Sequence, residues 1–458
     1  MSTRQIAGTH ISRRSFLRRS AFASTVFAIP NIVTRPIFGT DAPSNKINVG
    51  QIGCGNIGSN YHIPHLRQMA DVRIVAVADA YKSRREAAAA GLNKHYGETD
   101  LVKPYADFRD ILARSDVDAV IIGAHDNWHT PMSIAAAKAG KDVYCQKPLA
   151  LDFSLTKILR KVIGDKKRVF QFGTQYRSGA RYRQMIELVR NGYIGKLERI
   201  ETWCRDVSFD VGNYHVKPYG STAEVPVPAD LDFDAWMGPS LMVPYTEDRA
   251  TSWGGYHCPE TSLGFIAGCG IHELGLVQWG NKSDHTSPVR CEGTGSVPKE
   301  GIFRTLERWD ATCEYENGVK LRFMDQRTAM PIITERFPGW GLYDGTIFYG
   351  SEGWIGHMGE GFDASNKTLW KAPFKPTDEQ LEVSPEHNRN FIDCVKSRKE
   401  TMCPVEMAIR CDTICHLVDA VVRTGRTIKW DPAKEEVIGD AEASQLMSRP
   451  SREKWRVW

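Results

Sequence analysis

The chain has 458 residues, of which 41% are hydrophobic and 25% charged, which suits two ordinary globular domains. Its net charge of +4 misleads: residues 1–40 hold six arginines and no acid or lysine, which leaves the remainder at −2 and removes the argument for a nucleic-acid-binding face. Its 11 cysteines include no Cys-x-x-Cys pair, which speaks against a zinc ribbon or a disulfide scaffold; buried free thiols are expected, with an occasional disulfide if the protein is exported.

Residues 12–20 read Ser-Arg-Arg-Ser-Phe-Leu-Arg-Arg-Ser, and a modest apolar stretch follows at 21–32. That stretch is too short for a stable membrane anchor. Paired arginines before it resemble a twin-arginine export signal, an address read by the export machinery and not part of the fold. Residues 1–40 are therefore set aside as signal and linker, and the expected localisation is periplasmic or exported.

From Lys46 the rhythm alternates between strand and helix. Strands are predicted at Ile47–Ile52, Val72–Ala78, 117–123, Asp142–Cys145 and 168–172. Helices are predicted at 83–92, after an N-cap at Asp107, and after Thr130, with Pro131 in the first turn and Gly140 as the stop. This pattern predicts a doubly wound parallel sheet over 46–173. The first strand runs into Gly53-Cys54-Gly55-Asn56-Ile57-Gly58, a Gly-x-Gly-x-x-Gly turn. In such a turn the first glycine permits the tight bend, the second admits a pyrophosphate to the backbone, and the third lets helix and strand pack closely. Asp79 ends the second strand 21 positions past Gly58, where the acid that bonds the ribose hydroxyls is placed. Asp79 favours NAD. Lys82, Arg84 and Arg85 are close enough in sequence to hold the extra phosphate of NADP instead.

After Gly173 the pattern changes. A helix is predicted at 182–190, and longer strands at Leu197–Cys204, 308–315, Lys320–Asp325 and 346–349. These predict an α+β domain over 174–458 built on an open, largely antiparallel sheet with one face covered. Helices are predicted at 386–397 and Val405–Thr424, the second stopped by Gly425.

Five stretches together resemble the Gfo/Idh/MocA oxidoreductases. They are the glycine turn, His125-Asp126-Asn127-Trp128-His129-Thr130-Pro131, Gln146-Lys147-Pro148, Gly268-Cys269-Gly270-Ile271-His272, and the tail from Asn390 to Pro432. The family has Glu-Lys-Pro where this chain has Gln146-Lys147-Pro148. It usually has Asp-x-Gly-x-His where this chain has Gly268 to His272. The resemblance implies a Rossmann domain and a sheet domain with the active site between them. It also implies a nicotinamide cofactor, a small carbohydrate or polyol substrate, and homo-oligomers formed through the C-terminal sheet. Gly53, Gly55, Asn56, Ile57, Gly58, Asp79, His125, Asn127, His129, Gln146 and Lys147 are the implied cofactor residues. A metal role for the two histidines is disfavoured.

Lys147 and His272 are the implied catalytic pair. Oxidising an alcohol needs a base that titrates near working pH, and a histidine or a perturbed lysine meets that need. With Gln146 in place of the family's Glu, the ammonium loses a negative neighbour, which predicts a lowered Lys147 pKa and a larger share of proton transfer. Tyr176 and Arg177 follow the last Rossmann strand and are expected to line the cleft at the substrate. Trp253, Tyr256 and His257 are expected either to supply stacking surface for a sugar, with Tyr176 and His257 as substrate candidates, or, like Tyr176, to pack in the core. Two other readings remain open: a glycosidase or lyase that oxidises its sugar transiently with a retained NAD, and a dinucleotide- and sugar-binding module without turnover.

Overall fold

Ile47, Val49 and Ile52 extend a six-residue strand because alternate apolar side chains meet helices on both faces of a parallel sheet. The computed structural model describes residues 46–206, 219–251, 254–340 and 343–458. The arginine-rich stretch at 12–20 and Trp253 lie outside the described residues.

The first sheet has six parallel strands: β1 (Ile47–Ile52), β2 (Val72–Ala78), β3 (Lys103–Tyr105), β4 (Ala119–Ile122), β5 (Asp142–Cys145) and β6 (Phe170–Phe172). Their order is β3-β2-β1-β4-β5-β6, the doubly wound arrangement with its switch point between β1 and β4. The helix predicted at 83–92 runs further, Lys82–Tyr96. Asp107 does cap a short helix, accepting Arg109 N at 2.9 Å.

Thr130 does not open a helix. The helix is Asp126–Lys138, with His125 at its N-cap position and Pro131 inside it. Its first turn is held by a tertiary bond that no local pattern reveals, Asn127 N to Thr261 O at 3.1 Å. Thr130 Oγ1 instead donates to Leu149 O at 2.7 Å.

The second sheet has nine strands: β7 (Leu197–Cys204), β8 (Arg290–Ser296), β9 (Arg308–Glu314), β10 (Lys320–Asp325), β11 (Gly345–Gly350), β12 (Gly353–Met358), β13 (Gly361–Ala364), β14 (Ile428–Asp431) and β15 (Glu436–Val437). Their order is β13-β12-β11-β7-β10-β9-β8-β14-β15, and every pairing is antiparallel except β7 with β10. Alternation along β9 sends Trp309, Ala311 and Cys313 inward. There they meet the helices Gly270–Gly280 and Val405–Thr424, the second of which is buried on nearly every side. The other face is partly covered as well, since Met330 and Ile333 of the helix Gln326–Arg336 pack on Trp203 and Met324. Cys291 and Cys313 sit opposite each other on β8 and β9 and form a disulfide; the nine other cysteines are free, and all but Cys269 are buried.

The tail returns to the first sheet. Phe391, Ile392 and Val395 of the helix His387–Ser397 share one core with Val49, Ile74 and Tyr144. Thr401 Oγ1 donates to Phe170 O at 2.6 Å, and Cys403 O accepts Phe172 N at 2.8 Å. The edge of the sheet predicted from 46–173 is therefore completed by residues 231 positions downstream. Among the described residues no helix is long and apolar enough to cross a membrane, and no cluster of ligating side chains could hold a metal.

Candidate active site

The turn after β1 uses its three glycines differently. A Cβ on Gly53, whose φ is 88°, would lie 2.4 Å from Gly123 O, and one on Gly58 would lie 2.2 Å from Gly53 O. Both are reserved by the chain's own backbone. A Cβ on Gly55 would meet nothing nearer than an Arg84 guanidinium nitrogen at 3.7 Å, so that position faces open space. This is the cradle a pyrophosphate needs, and the residues present fit a dinucleotide. Gly53, Gly55, Asn56 and Ile57 line a cleft of about 470 Å³ at the carboxyl ends of the first sheet's strands.

Asp79 lines the same cleft, and its carboxylate is braced by Cys54 N at 2.6 Å and Tyr81 N at 2.8 Å. Burial raises its pKa against the pull of those two N–H groups. Of the three nearby cations, Lys82 pairs with Glu86 at 3.9 Å and Arg85 donates to Asp79 O at 3.0 Å. Arg84 alone of these lines the cleft, its guanidinium 3.9 Å above the Tyr81 ring.

His125 lies in the cleft wall with its ring against Trp236, centroids 4.6 Å apart, and burial pushes its pKa down to about 3. His129, pushed down to about 4 chiefly by burial, touches Pro148 O at 2.5 Å and Ala124 O at 3.0 Å. It ties the Lys-Pro turn to the helix. Asn127 does not reach the cleft. With the helix starting at Asp126, residue 127 is buried away from the cleft, and its Nδ2 donates to Met237 O at 2.8 Å and Ser240 Oγ at 3.1 Å.

Lys147 and His272 both line the far end of the cleft, with Tyr176, Tyr256, Cys269, Arg205 and Asp344. Lys147 Nζ donates to Gly268 O at 2.6 Å and stands 5.4 Å from the centre of the Tyr256 ring. The predicted fall in its pKa does not occur. Burial lowers it, but Tyr256, Cys269 and Asp126 together outweigh burial, and the pKa lies above the ordinary lysine value. Lys147 is a cationic donor.

His272 sits in the first turn of the helix Gly270–Gly280. Its ring tilts on Tyr176 with centroids 5.1 Å apart, and Tyr176 in turn stacks on Tyr182 at 4.5 Å. Its Nδ1 has no protein partner among the described residues. Burial first, and the Lys147 charge second, hold its pKa well below the usual imidazole value, so the ring is neutral.

Arg177 and His257 are not in the cleft. Arg177 is buried, donating to both Asp284 carboxylate oxygens at 2.8 and 2.6 Å and to Gly275 O at 2.9 Å. His257 packs between Phe265 and Phe303, with centroids 4.7 and 5.4 Å away.

Three cleft residues escape the sequence reading. Asp126, buried and accepting Ser262 Oγ at 2.5 Å, has its pKa pushed up to about 7 chiefly by burial. It lies inside the His125–His129 motif, so its signal was present. Arg205 and Asp344 pair across the sheet, N to Oδ1 at 2.9 Å and guanidinium to Oδ2 at 3.1 Å, from positions 139 residues apart with no local pattern to connect them.

Comparison with known proteins agrees with this geometry. Residues 47–174 match the NAD-binding Rossmann fold of the Gfo/Idh/MocA oxidoreductase family, and residues 179–330 and 363–457 match an oxidoreductase-family C-terminal α/β domain. Inositol 2-dehydrogenase of Rhizobium meliloti (strain 1021) is 30% identical over 162 residues, 35% of this chain and 46% of that protein, so the match spans about half of its length. Inositol 2-dehydrogenase 4 of Saccharopolyspora erythraea is 30% identical over 302 residues, 58% of this chain and 85% of that protein. The WlbA dehydrogenase of Bordetella pertussis, solved with NADH and UDP-GlcNAcA, superposes with a TM-score of 0.60 at 16% identity over 84% of this chain and 98% of its own. The sequence matches and the two-sheet architecture together place this chain in the Gfo/Idh/MocA oxidoreductase family.

Proposed function

We propose that the chain transfers a hydride between a nicotinamide dinucleotide and a secondary hydroxyl of a polyol or sugar. The observation that carries this reading is one continuous cleft with the glycine turn at one end and Lys147 with His272 at the other. Bound there, the dinucleotide supplies the hydride acceptor. The chain's own residues handle the proton. His272, neutral and lining the cleft, accepts it from the substrate oxygen. The Lys147 ammonium stabilises the negative charge that develops on that oxygen. Tyr176 and Tyr256 line the cleft beside them. The inositol dehydrogenases among its relatives support a cyclic polyol or sugar as the substrate class.

The arginine-rich stretch at 12–20 supports export through the twin-arginine route, and the Cys291–Cys313 disulfide suits an oxidising compartment. Outside the cytoplasm an enzyme of this kind keeps its dinucleotide bound and regenerates it with a second substrate. Assembly through the nine-stranded sheet completes the reading; light scattering tests it.

The test begins with protein purified without added cofactor, denatured, and its released small molecules identified by mass. A stoichiometric NAD or NADP supports retained cofactor. Inositols, aldoses and their glycosides are then screened with NAD, reading both NADH formation and product. Net NADH formation from a polyol supports the dehydrogenase. Cleavage of a glycoside without net reduction replaces it with transient oxidation. Binding of both ligands with no turnover overturns an enzymatic role.

A further inference from the structure

A line of hydrogen bonds runs from the cleft to the tail helix, and each donor in it is identified. Gln146 Nε2 lies 2.8 Å from His62 Nε2. An amide nitrogen only donates, so that ring nitrogen carries no proton. The ring proton is therefore on Nδ1, which donates to Asn388 Oδ1 at 2.8 Å. Asn388 Nδ2 then donates to Glu386 Oε1 at 3.1 Å. Glu386 closes the line: its other oxygen accepts Arg389 N at 2.7 Å and caps the helix His387–Ser397, while Tyr61 OH donates to Oε1 at 2.9 Å. At the cleft end, Lys147 N donates to Gln146 Oε1 at 3.3 Å, which holds the carboxamide in the same sense.

The site is built for this amide. Gly173 leaves room for it, since a Cβ there would lie 2.9 Å from Gln146 Oε1. His62 and Asn388 are both fully buried, and His62 belongs to a π-helical turn, Gly58–His62, directly after the glycine turn. The titratable groups that face His62 are Tyr61 and His65 from its own helix, Tyr144 from β5 with ring centroids 4.8 Å apart, and Glu386 and His387 from the tail. Burial outweighs the Asn388 bond and Glu386, and pushes the ring down to about 4.

We infer that His62, Asn388 and Glu386 are positioning residues that require a neutral amide at position 146 and hold it, with Lys147, at the nicotinamide end of the cleft. The inference rests on the cofactor site proposed above. Its physical content is a proton count. A carboxylate at position 146 would face the bare His62 Nε2, two acceptors in contact. The present geometry then survives only while the pair holds one extra proton, on the ring or on the carboxyl. Turning the ring tautomer round instead would leave Asn388 and Glu386 with opposed oxygens.

The experiment is NADH binding, read by fluorescence, and thermal unfolding across about pH 5.5 to 8.5 for the full chain, Gln146→Glu, and Gln146→Glu with His62→Gln. NADH is the probe, so no substrate need be known. The parent's dissociation constant for NADH should change little over this range. In Gln146→Glu it should rise about tenfold for each pH unit above the pair's new pKa, one proton being lost. In the double variant the amide introduced at position 62 donates to the carboxylate at position 146 at every pH, and the slope should disappear. A Gln146→Glu slope equal to the parent's, a slope that persists in the double variant, or a Gln146→Glu chain unfolded even at about pH 5.5 overturns the inference. A parent that binds no NADH overturns the cofactor site itself, which is a different failure.

Discussion

The Lys147 ammonium donates to the Gly268 carbonyl oxygen at 2.6 Å, across a sequence separation of 121 residues. This bond joins the Lys-Pro turn at the edge of the first sheet to the glycine-rich segment that leads into the helix of His272. The family's Asp is replaced at Gly268, yet the position still contacts Lys147, through its backbone. Lys147→Met should therefore lower kcat by about 100- to 1000-fold, the loss expected when one donor to a developing oxyanion is removed. NADH affinity should change by less than about threefold, because the glycine turn binds the other end of the dinucleotide. Near-normal turnover in steady-state assays would remove Lys147 from the reaction.

His272→Ala should lower kcat by about 100- to 10,000-fold, the range of a lost general base. The pH dependence of the parent carries the sharper test. In the proposed reaction the imidazole acts in its neutral form, and its pKa lies well below 6.5. kcat/KM should stay level as pH falls through 6.5 and decline only in more acid solution. An acid limb centred at or above 6.5 would sink this assignment.

Acid should unfold the chain early. Burial pushes His62, His129 and His387 down to about 4 and His125 to about 3. In the unfolded chain each titrates near 6.5, so below that pH the unfolded state binds protons that the fold refuses. Stability is lost from about pH 6.5 down to about 4, where the native rings begin to protonate as well. Asp126, raised to about 7, works the other way, because the unfolded carboxyl is already ionised above about 4. Asp79, Asp344 and Asp412 are raised as well, but His272 joins the four lowered rings, and Asp71 and Glu386, held below the ordinary carboxylate range by their partners, also lose stability in acid. The melting temperature by calorimetry should fall by about 10 °C or more between about pH 6.5 and 4.5; a flat profile would contradict the burial of these rings.

The two glycines should separate binding from folding. Gly55→Val places its side chain in the open cradle, so the fold should melt near the parent temperature while NADH affinity drops at least about tenfold. Gly58→Val drives a Cβ to 2.2 Å from Gly53 O and should cost stability before binding is even tested. Circular dichroism melts beside fluorescence titrations distinguish the two.

Arg177→Ala should behave as a structural variant. It leaves Asp284 and the Gly275 carbonyl without their buried partner, at a cost of about 3 kcal/mol. Activity per folded molecule should be unchanged. A selective rise in substrate KM without loss of melting temperature would return Arg177 to the substrate site.

The local signals in the chain were strong where one turn or one strand decides the outcome. The glycine turn, Asp79, the cap at Asp107 and the alternating strands each depend on neighbours within a few residues, so backbone sterics and hydrophobic period sufficed to read them. Thr130 misled because its N-cap chemistry is real but was overridden by bonds to the carbonyl oxygens of Thr261 and Leu149. Lys147 and His272 were legible through the resemblance, and their placement in one cleft follows from strand ends converging on one edge of a parallel sheet. Their charge states were not. Burial opposed by Tyr256, Cys269 and Asp126 sets the direction of the Lys147 shift, and burial together with Lys147 sets that of His272, all by distance in space. The same holds for Arg177 turning inward to Asp284, for Asn127 turning away from the cleft, and for the tail that brings Asn388 to His62. Sequence by itself determined the doubly wound sheet, the dinucleotide turn and two of the titratable residues that line the cleft. Tertiary structure decided which of their neighbours are donors, acceptors or ions, because proton affinity depends on burial and on charges from distant parts of the chain.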